Sequence, residues 1–336
     1  MPPDRIVRYD PALAAAPLFQ PVWRGERTRL DRSFSFGGIE WRWRGPEQLG
    51  IAEQSLLLVL LELAREQESF AEEADEQTRH IVSELYDMGE QRRPRTAELT
   101  VSFYELCKRL NLHAGGSAGS QRRSELKRLC EVTVWSRCED GVEFQSRLLT
   151  WQVGNRQGVR VLLNWRLTEV LFGGQFSAVC LNERLELRSE CARALHCALS
   201  LRIRVDGTMS FHLNKLASYV WADMEPRYAG KRQKERAYSD TPAAIAQRRR
   251  RRDLLNAVDE IAHLSAWSIK STPSGALRIS RRTTISKEGA LERATVPVVS
   301  ARPTATRKRS VAGESQDGQV SIWQMLASAA ASPGTR

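Results

Sequence analysis

The sequence predicts an α+β protein made of two tandem domains, an N-terminal arm and a disordered C-terminal tail. One order of elements predicts the two domains, because a helix, a short helix, a basic helix and a β-hairpin follow one another twice. The charge is the second observation, since 51 Lys and Arg against 40 Asp and Glu give a formal net charge of +11. That order of elements is typical of winged helix-turn-helix domains, and the positive charge favours a polyanionic partner.

Length, composition and cysteines narrow the class of protein. With 336 residues, the chain is long enough for two hydrophobic cores. The longest apolar run, Leu56–Leu61, is far shorter than the ~20 residues of a membrane-spanning helix, and residues 1–9 lack the apolar segment of a secretory signal. The six cysteines include no Cys-x-x-Cys pair, which favours reduced thiols over a zinc site. We therefore expect a cytoplasmic protein without a bound metal.

Residues 1–50 are predicted to form an arm with two short strands. The strand-like segments 33–36 and 39–43 are separated by two glycines. Alternation within the second segment places Trp41 and Trp43 on the same face, as in a half-buried strand.

The first winged-helix domain is predicted at 51–172. Its helices have apolar residues at helical spacing, and an Asp-Gly pair between two alternating apolar runs is a signal of a β-hairpin. In chain order, the predicted elements are helices at 53–65, 101–112 and 117–130, hairpin strands at 131–137 and 142–151, and a third strand at 159–163.

The second winged-helix domain is predicted at 173–284. It repeats the order of the first domain without a sequence repeat of fixed period, which indicates repeated architecture and not a solenoid. In chain order, the predicted elements are a long helix at 183–204, a strand at 208–211, a short helix at 213–221, a helix at about 242–264, and hairpin strands at 267–270 and 276–280.

The tail at 285–336 is predicted to be disordered. Thr, Ser, Pro, Ala and Arg dominate this segment. Such a composition buries too little apolar surface to offset the conformational entropy that is lost on ordering.

The basic helix of the first domain has a polar face suited to DNA. Leu126, Leu129 and Cys130 share a face that we expect to contact the core, and polar side chains lie roughly opposite. Glutamine is suited to adenine and arginine to guanine, whereas flanking cations are suited to phosphates. The candidate DNA contacts are Gln121, Ser124 and Arg128 for bases and Arg123 and Lys127 for phosphates.

The basic helix of the second domain carries five consecutive arginines, Arg248–Arg252. Five consecutive positions cover more than one helical turn, so these side chains do not all face one groove of DNA. Arg250 and Arg251 lean toward an apolar stripe, which is predicted at Leu254, Leu255, Val258, Ile261 and Ala262. Opposite this stripe lie the candidate DNA contacts Arg248, Arg249 and Arg252.

The hairpin of the second domain adds two weaker candidates, Lys270 and Arg278, as backbone contacts of the wing. A charge run is also typical of a solvated helix face. Repetition of the whole pattern favours DNA binding over that alternative.

The sequence contains no catalytic constellation. It lacks the Gly-x-x-x-x-Gly-Lys-Ser/Thr motif of P-loop ATPases and the His-x-His metal pair of rolling-circle nickases. His196 lies within an apolar helix, where we expect it to be packed or hydrogen-bonded. The protein is therefore expected to be no enzyme and to need no cofactor.

Short motifs follow one another in a specific order from about residue 5 to 282. They are Arg8–Pro11 with Leu18 and Phe19, Arg24–Arg27, Gly45–Gly50, Lys127–Leu129 before Val132–Val134, Gly173–Gln175, Ala194–His196, and Tyr219–Trp221 with the arginine-rich helix. This set resembles the replication initiator called replication protein C of IncQ-type broad-host-range plasmids. The loop at 222–241 looks longer than the family pattern, and the tail beyond about 285 is additional to it.

The resemblance implies a function and partners. Two winged-helix domains would bind direct repeats, called iterons, as double-stranded DNA at a plasmid origin. The protein would help to melt the adjacent AT-rich DNA and would recruit a separately encoded replicative helicase. Whether it acts as a monomer or a dimer is left open by the sequence.

A short motif in the tail indicates a second protein partner. Gln319, Ser321, Ile322 and Trp323 occur in the spacing of the pentapeptide by which bacterial replication proteins bind the DNA polymerase sliding clamp. In that mode, Gln319 would hydrogen-bond the rim of a pocket that Ile322 and Trp323 fill. A chance apolar patch in a polar tail is the alternative.

Two other functions are compatible with the same sequence features. A plasmid or phage transcriptional repressor would use the same fold and the same physics of DNA binding. An adaptor that binds RNA or a membrane surface would use the basic segments without sequence preference.

Overall fold

The computed structural model of this protein describes residues 5–16, 18–22, 27–71, 95–137, 141, 143–153, 158–221 and 242–283. In this part of the chain the helices are α1 (Pro11–Ala15), α2 (Ile51–Gln67), α3 (Phe103–Arg109), α4 (Ala118–Cys130), α5 (Trp165–Phe172), α6 (Leu181–Glu186), α7 (Glu190–Arg202), α8 (Leu213–Val220) and α9 (Pro242–Ala262). None of the described helices is long and apolar enough to cross a membrane.

The strands mix with these helices along the chain, which confirms the predicted α+β class. They are β1 (Ile6–Tyr9), β2 (Leu30–Phe36), β3 (Ile39–Gly45), β4 (Ser69–Phe70), β5 (Ala97–Val101), β6 (Thr133–Arg137), β7 (Glu143–Arg147), β8 (Leu149–Val153), β9 (Val159–Leu163), β10 (Ser177–Cys180), β11 (Thr208–Phe211), β12 (Trp267–Ser271) and β13 (Leu277–Arg281).

One topology occurs twice in this arrangement. In the first half, α2, β5, α3 and α4 precede the hairpin β8–β9, and the strands pair in the order β5-β9-β8, with β4 beside β5. In the second half, α7, β11, α8 and α9 precede the hairpin β12–β13, and the strands pair in the order β11-β13-β12. In each half, the strand that precedes the basic helix (β5 or β11) therefore pairs with the second strand of the hairpin (β9 or β13). The first strand of the hairpin (β8 or β12) pairs with the other edge of that second strand.

The first half differs from the prediction in the strands that follow α4. The predicted strand 142–151 is broken at Leu148, so that β7 and β8 belong to different sheets. Hairpin β6–β7 continues the sheet of the arm, in the order β2-β3-β6-β7, and β8 pairs with β9. Leu148 and Leu149 are both buried, although they are neighbours, and this interruption of the alternation marks the crossover. The strand β5, which the prediction partly assigned to a helix, completes the sheet of the first half.

The N-terminal arm is part of the core. The predicted strands lie within β2 and β3, and Trp41 and Trp43 are buried on one face, as predicted. Upstream of them, β1 pairs antiparallel with β10 in the second half of the chain. The side chain of Asp10 accepts a hydrogen bond from the backbone N–H of Ala12 (2.8 Å) and caps α1.

Helix α2 lies at the centre of the molecule. Its residues Leu56–Leu61 are fully buried, as expected for a helix that is apolar on all sides. The fully buried Arg184 of α6 donates hydrogen bonds to the Oε1 of Gln54 (2.8 Å) and to the Oγ of Ser55. This contact joins the helix of the first half to the second half.

The long helix predicted at 183–204 consists of two helices. Helix α6 ends at Glu186 and α7 begins at Glu190. Between them, the Oγ of Ser189 accepts a hydrogen bond from the backbone N–H of Ala192 (3.1 Å) and caps α7. Serine at this position is a helix-start signal that the apolar periodicity concealed.

Candidate nucleic-acid interface

Helix α4 exposes the polar face that the sequence predicts. Its apolar side chains Leu126 and Leu129 are fully buried and face the core. Gln121, Ser124 and Lys127 are exposed. The Oγ of Ser124 donates to the backbone carbonyl of Ser120 (3.1 Å), and the Nζ of Lys127 lies 3.8 Å from the carboxylate of Glu131.

Arg123 is exposed and lies near two aromatic rings. Its guanidinium is 6.0 Å from the ring centroid of Phe103 on α3 and 5.7 Å from that of Trp151 on β8. Cation–π attraction acts within about 6 Å of the centroid. The contact therefore places a cation where α4 meets the hairpin β8–β9.

Arg128 does not lie on the exposed face with the other candidates. Its Nε donates to the Oε1 of the fully buried Glu53 of α2 at 2.6 Å. The helical wheel places Arg128 opposite the core of α4, but the wheel does not show that α2 presents a buried carboxylate on that side. Arg128 thus connects two helices, which corrects the predicted position of its side chain.

A second arginine of α4 is buried. Arg122 donates to the carboxylate of Glu125, three residues further along the helix. Burial raises the pKa of Glu125, and the contact with Arg122 opposes that shift. This pair lies inside the protein and leaves the exposed face to Gln121, Arg123, Ser124 and Lys127.

Helix α9 exposes the three arginines that the sequence predicts as DNA contacts, Arg248, Arg249 and Arg252. Arg250 is half-buried, and its guanidinium lies 5.7 Å from the ring centroid of Trp221, so it leans inward as predicted. Arg251 is exposed, which differs from the prediction.

The apolar stripe of α9 is narrower than the sequence analysis predicts. Leu254, Val258 and Ile261 are buried, as predicted, and Ala257 joins them. Leu255 is 48% exposed and Ala262 is exposed as well, so both predictions are wrong. The buried positions follow the spacing i, i+3, i+4 and i+7, and Leu255 lies one residue, or about 100°, to the side.

The hairpin β12–β13 follows α9 and carries the remaining candidates. Lys270 and Arg278 are exposed and lie directly opposite each other in the antiparallel register. The turn between the strands contains Gly275 at φ +74°, a backbone conformation that glycine adopts without strain.

A buried hydrogen-bond network anchors this hairpin. The Nε1 of Trp267 on β12 donates to the Oε2 of Glu183 at 2.9 Å, and the Nε2 of His196 lies 2.9 Å from the same oxygen. His196 is fully buried, which agrees with the hydrogen-bonded role expected from the sequence. The network connects α6, α7 and β12.

Other predicted features lie outside the described residues. They include the loop 222–241, the tail 285–336 and the tail motif of Gln319, Ser321, Ile322 and Trp323. Within the described ranges, no three His, Cys, Asp or Glu side chains form a group that could hold a metal ion.

The sequence matches one protein family over most of its length. Residues 4–282 match the model of the family described as replication protein C (RepC). No curated protein matches the chain.

Two crystal structures of domains 2 and 3 of RctB, one of them of selenomethionine derivatives, are similar to this chain at 10% sequence identity. The selenomethionine structure has a TM-score of 0.45, with 79% of this chain and 95% of that chain covered. The other has a TM-score of 0.46, with 82% of this chain and 97% of that chain covered.

Proposed function

This chain belongs to the replication protein C family, and from that premise we propose that it is a replication initiator that binds double-stranded DNA at an origin. The proposal includes that this chain is similar in function to the IncQ-type members of the family, whose origins carry direct repeats. Its site of action is then plasmid DNA in the cytoplasm.

The observation that carries this proposal is the repeated topology. Each half presents one helix with an exposed polar or basic face, α4 in the first half and α9 in the second, and a β-hairpin follows each helix. A winged helix-turn-helix domain places its second helix in the major groove and its hairpin beside the backbone. We assign these roles to α4 with β8–β9 and to α9 with β12–β13.

The exposed side chains supply two kinds of contact. Gln121 and Ser124 on α4, and Arg249 with its neighbours on α9, are suited to base edges in the major groove. Arg123, Lys127, Lys270 and Arg278 are suited to phosphates, which give affinity and fix orientation without reading sequence.

The contacts between the halves support binding to direct repeats. Helix α2 packs against both halves, and Arg184 hydrogen-bonds to it from α6. Two recognition helices in one molecule can enter successive major grooves about one turn apart, so a monomer would cover roughly 20 bp. A fixed relation between the helices would favour one orientation along tandem repeats.

Further steps of initiation follow from the same proposal. The bound protein would promote melting of the adjacent AT-rich DNA and would recruit a separately encoded replicative helicase. The tail motif at 319–323 would add contact with the sliding clamp, and replacement of Trp323 by alanine in a tail peptide is expected to abolish that contact.

Binding of the full chain to three labelled duplexes tests the proposal. The duplexes are origin DNA with its tandem repeats, the same sequence scrambled, and an RNA duplex of equal length. An initiator is expected to bind the repeats at least 10³-fold more tightly than the scrambled DNA, the lower end of the usual specificity range of about 10³–10⁷. Equal binding to all three would contradict it. Stimulation of helicase loading at the repeats would separate an initiator from a repressor.

A further inference from the structure

The sheet β11-β13-β12 carries a groove with a basic lining. The groove has a volume of about 350 Å³, within the range of about 300–1,000 Å³ for ligand pockets. Its lining combines exposed cations with the hydroxyl groups of neighbouring strands. We call this surface the basic groove and define it by Thr208, Ser268, Lys270, Arg278, Ser280 and Arg282.

The strand register arranges these side chains in rows. Thr208 and Ser268 both lie opposite Ser280, so three hydroxyl groups form one row across the three strands. The Oγ1 of Thr208 and the Oγ of Ser280 are 2.9 Å apart. Arg278 lies two residues before Ser280 on β13 and on the same face of the sheet. It lies opposite Lys270, and these two side chains form a cationic row.

The opposite face of the sheet packs against the protein. Trp267 and Ile279 are buried on that face. Arg281 is buried as well, and its guanidinium donates to the backbone carbonyl of Ala178 (3.1 Å). The fold therefore uses one face of the sheet for its core, and the cations and hydroxyls on the other face are not needed for that packing.

Within the described part of the chain, the basic groove has a net positive charge, because its lining contains more cations than carboxylates. None of Lys270, Arg278 and Arg282 forms an ion pair with another described residue. The carboxylate of Asp206, which also lines the groove, accepts hydrogen bonds from the backbone N–H (3.1 Å) and the Oγ1 (2.8 Å) of Thr283.

The sheet β2-β3-β6-β7 of the same protein shows the contrasting arrangement. There Arg42 donates to both carboxylate oxygens of Asp31, each at 3.0 Å, and Arg137 pairs with Glu143 at 3.1 Å. Arg42 and Arg137 of this sheet are thus paired with carboxylates, whereas Lys270, Arg278 and Arg282 of the basic groove are not. An excess of cations beside a row of hydroxyl donors is the chemistry that binds phosphate.

We propose that the basic groove binds phosphate groups of a nucleic-acid backbone. This inference rests on the proposed function, because it takes its ligand to be the DNA that the protein binds. It adds Thr208, Ser268, Ser280 and Arg282 to the contacts, on the open face of the sheet. The groove contributes affinity that is independent of base sequence.

The full chain with Arg278→Gln and Arg282→Gln tests the inference. Log affinity falls with log salt concentration, and each lost phosphate contact reduces the steepness of this slope by about 0.9. The double variant is therefore expected to reduce the steepness by about 2. Origin and scrambled duplexes are expected to lose affinity by the same factor. Arg29→Gln with Arg188→Gln removes two exposed arginines elsewhere and is expected to leave the slope unchanged. An unchanged slope in the groove variant, or an equal decrease in the control variant, would overturn the inference.

A second variant tests the hydroxyl row without removing a cation. Ser280→Glu places a carboxylate beside the proposed phosphate and is expected to weaken binding to both duplexes, whereas Ser280→Ala has a smaller effect. Titration with inorganic pyrophosphate separates a small phosphate ligand from a nucleic-acid backbone. Pyrophosphate binding that the double variant abolishes, together with an unchanged salt slope on DNA, would contradict the inference.

Failure of the inference is distinguishable from failure of the proposed function. A wild-type chain that prefers the origin repeats, with a salt slope that does not respond to the groove variants, rejects the groove alone. A chain that does not distinguish the repeats from scrambled DNA rejects the proposed function.

Discussion

The Nε atom of Arg128 on α4 lies 2.6 Å from the Oε1 atom of Glu53 on α2, and the side chain of Glu53 has no exposed area. Glu53 also accepts hydrogen bonds from the backbone N–H of Gly50 (2.8 Å) and from the Nη2 of Arg27 (3.1 Å). This buried carboxylate therefore fixes the helix that exposes Gln121 and Ser124 to the central helix of the protein.

Replacement of Arg128 by alanine is expected to destabilise the protein. It removes one charged hydrogen bond to a buried carboxylate that keeps its other two donors, which corresponds to about 1–3 kcal/mol of unfolding free energy. Chemical denaturation measures the change. Lys127→Ala on the exposed face is the matched control and is expected to change the free energy by less than about 0.5 kcal/mol. Equal effects of the two substitutions would show that Arg128 is not held as described.

Two neighbouring leucines of α9 test the rotation of that helix. Leu254 is buried and Leu255 is 48% exposed. Leu254→Ala is expected to cost about 2–5 kcal/mol of unfolding free energy because it leaves a cavity, whereas Leu255→Ala is expected to cost about 0.5 kcal/mol or less. Denaturant titration of both variants gives the comparison. A larger loss for Leu255→Ala would mean that α9 exposes a different face.

Arg249→Ala is expected to weaken binding to the origin repeats by about 1–3 kcal/mol, the range for an arginine that contacts a base. The loss on scrambled duplex is expected to be much smaller. Arg251→Ala is the control, since Arg251 is exposed on the flank of the same run. Equal losses on repeat and scrambled DNA would assign Arg249 to phosphate contact instead.

The buried pair of His196 and Glu183 predicts a dependence of stability on pH. Burial lowers the pKa of His196 below its ordinary value of 6.5; the charges of Arg184 and Arg281 act in the same direction, and the bond to Glu183 opposes them. The folded state therefore keeps His196 neutral while the unfolded chain binds a proton. The free energy of unfolding is therefore highest above pH 6.5 and decreases as the pH falls below that value, by at most about 1.4 kcal/mol per pH unit.

A denaturant series between pH 7.5 and about 5.5 measures this dependence. His196→Gln removes the titrating group and is expected to flatten the curve below pH 6.5, even where the variant is less stable at every pH. The pKa of Glu183 is lowered: burial alone raises it, but the hydrogen bonds from His196 and Trp267 together with neighbouring positive charge outweigh burial, so the loss of stability due to Glu183 lies below pH 4.5. Identical slopes for both proteins near pH 6 would exclude His196 as the source.

Much of the second half could be predicted from the sequence. Helices α8 and α9 and hairpin β12–β13 lie within two residues of their predicted positions, because helical and strand periodicity follow each other there with clear turn residues between them. Within α9, the period of 3.6 residues gave Leu254 and Ile261 correctly. The same period predicted Leu255 to be buried, although it is exposed, because the pattern does not show whether a leucine at the margin of the stripe contacts the core.

The first half was harder to predict, because tertiary contacts decide its arrangement. The alternation of 142–151 continues through a crossover between two sheets, and only the adjacent buried pair Leu148 and Leu149 marks it. The partner of Arg128 is 75 residues distant in sequence, so no local pattern connects them. The pairing of β1 with β10 is also a long-range contact that composition does not reveal.

Hydroxyl-radical footprinting of the full chain on origin DNA tests most directly whether α4 and α9 are the two DNA-reading helices. The wild type is expected to protect two neighbouring segments about one helical turn, or 10–10.5 bp, apart within each repeat. Gln121→Ala with Ser124→Ala is expected to remove specific protection of one segment, and Arg248→Ala with Arg249→Ala that of the other. A footprint that neither double variant changes, in folded protein, would contradict the assignment of these helices to DNA.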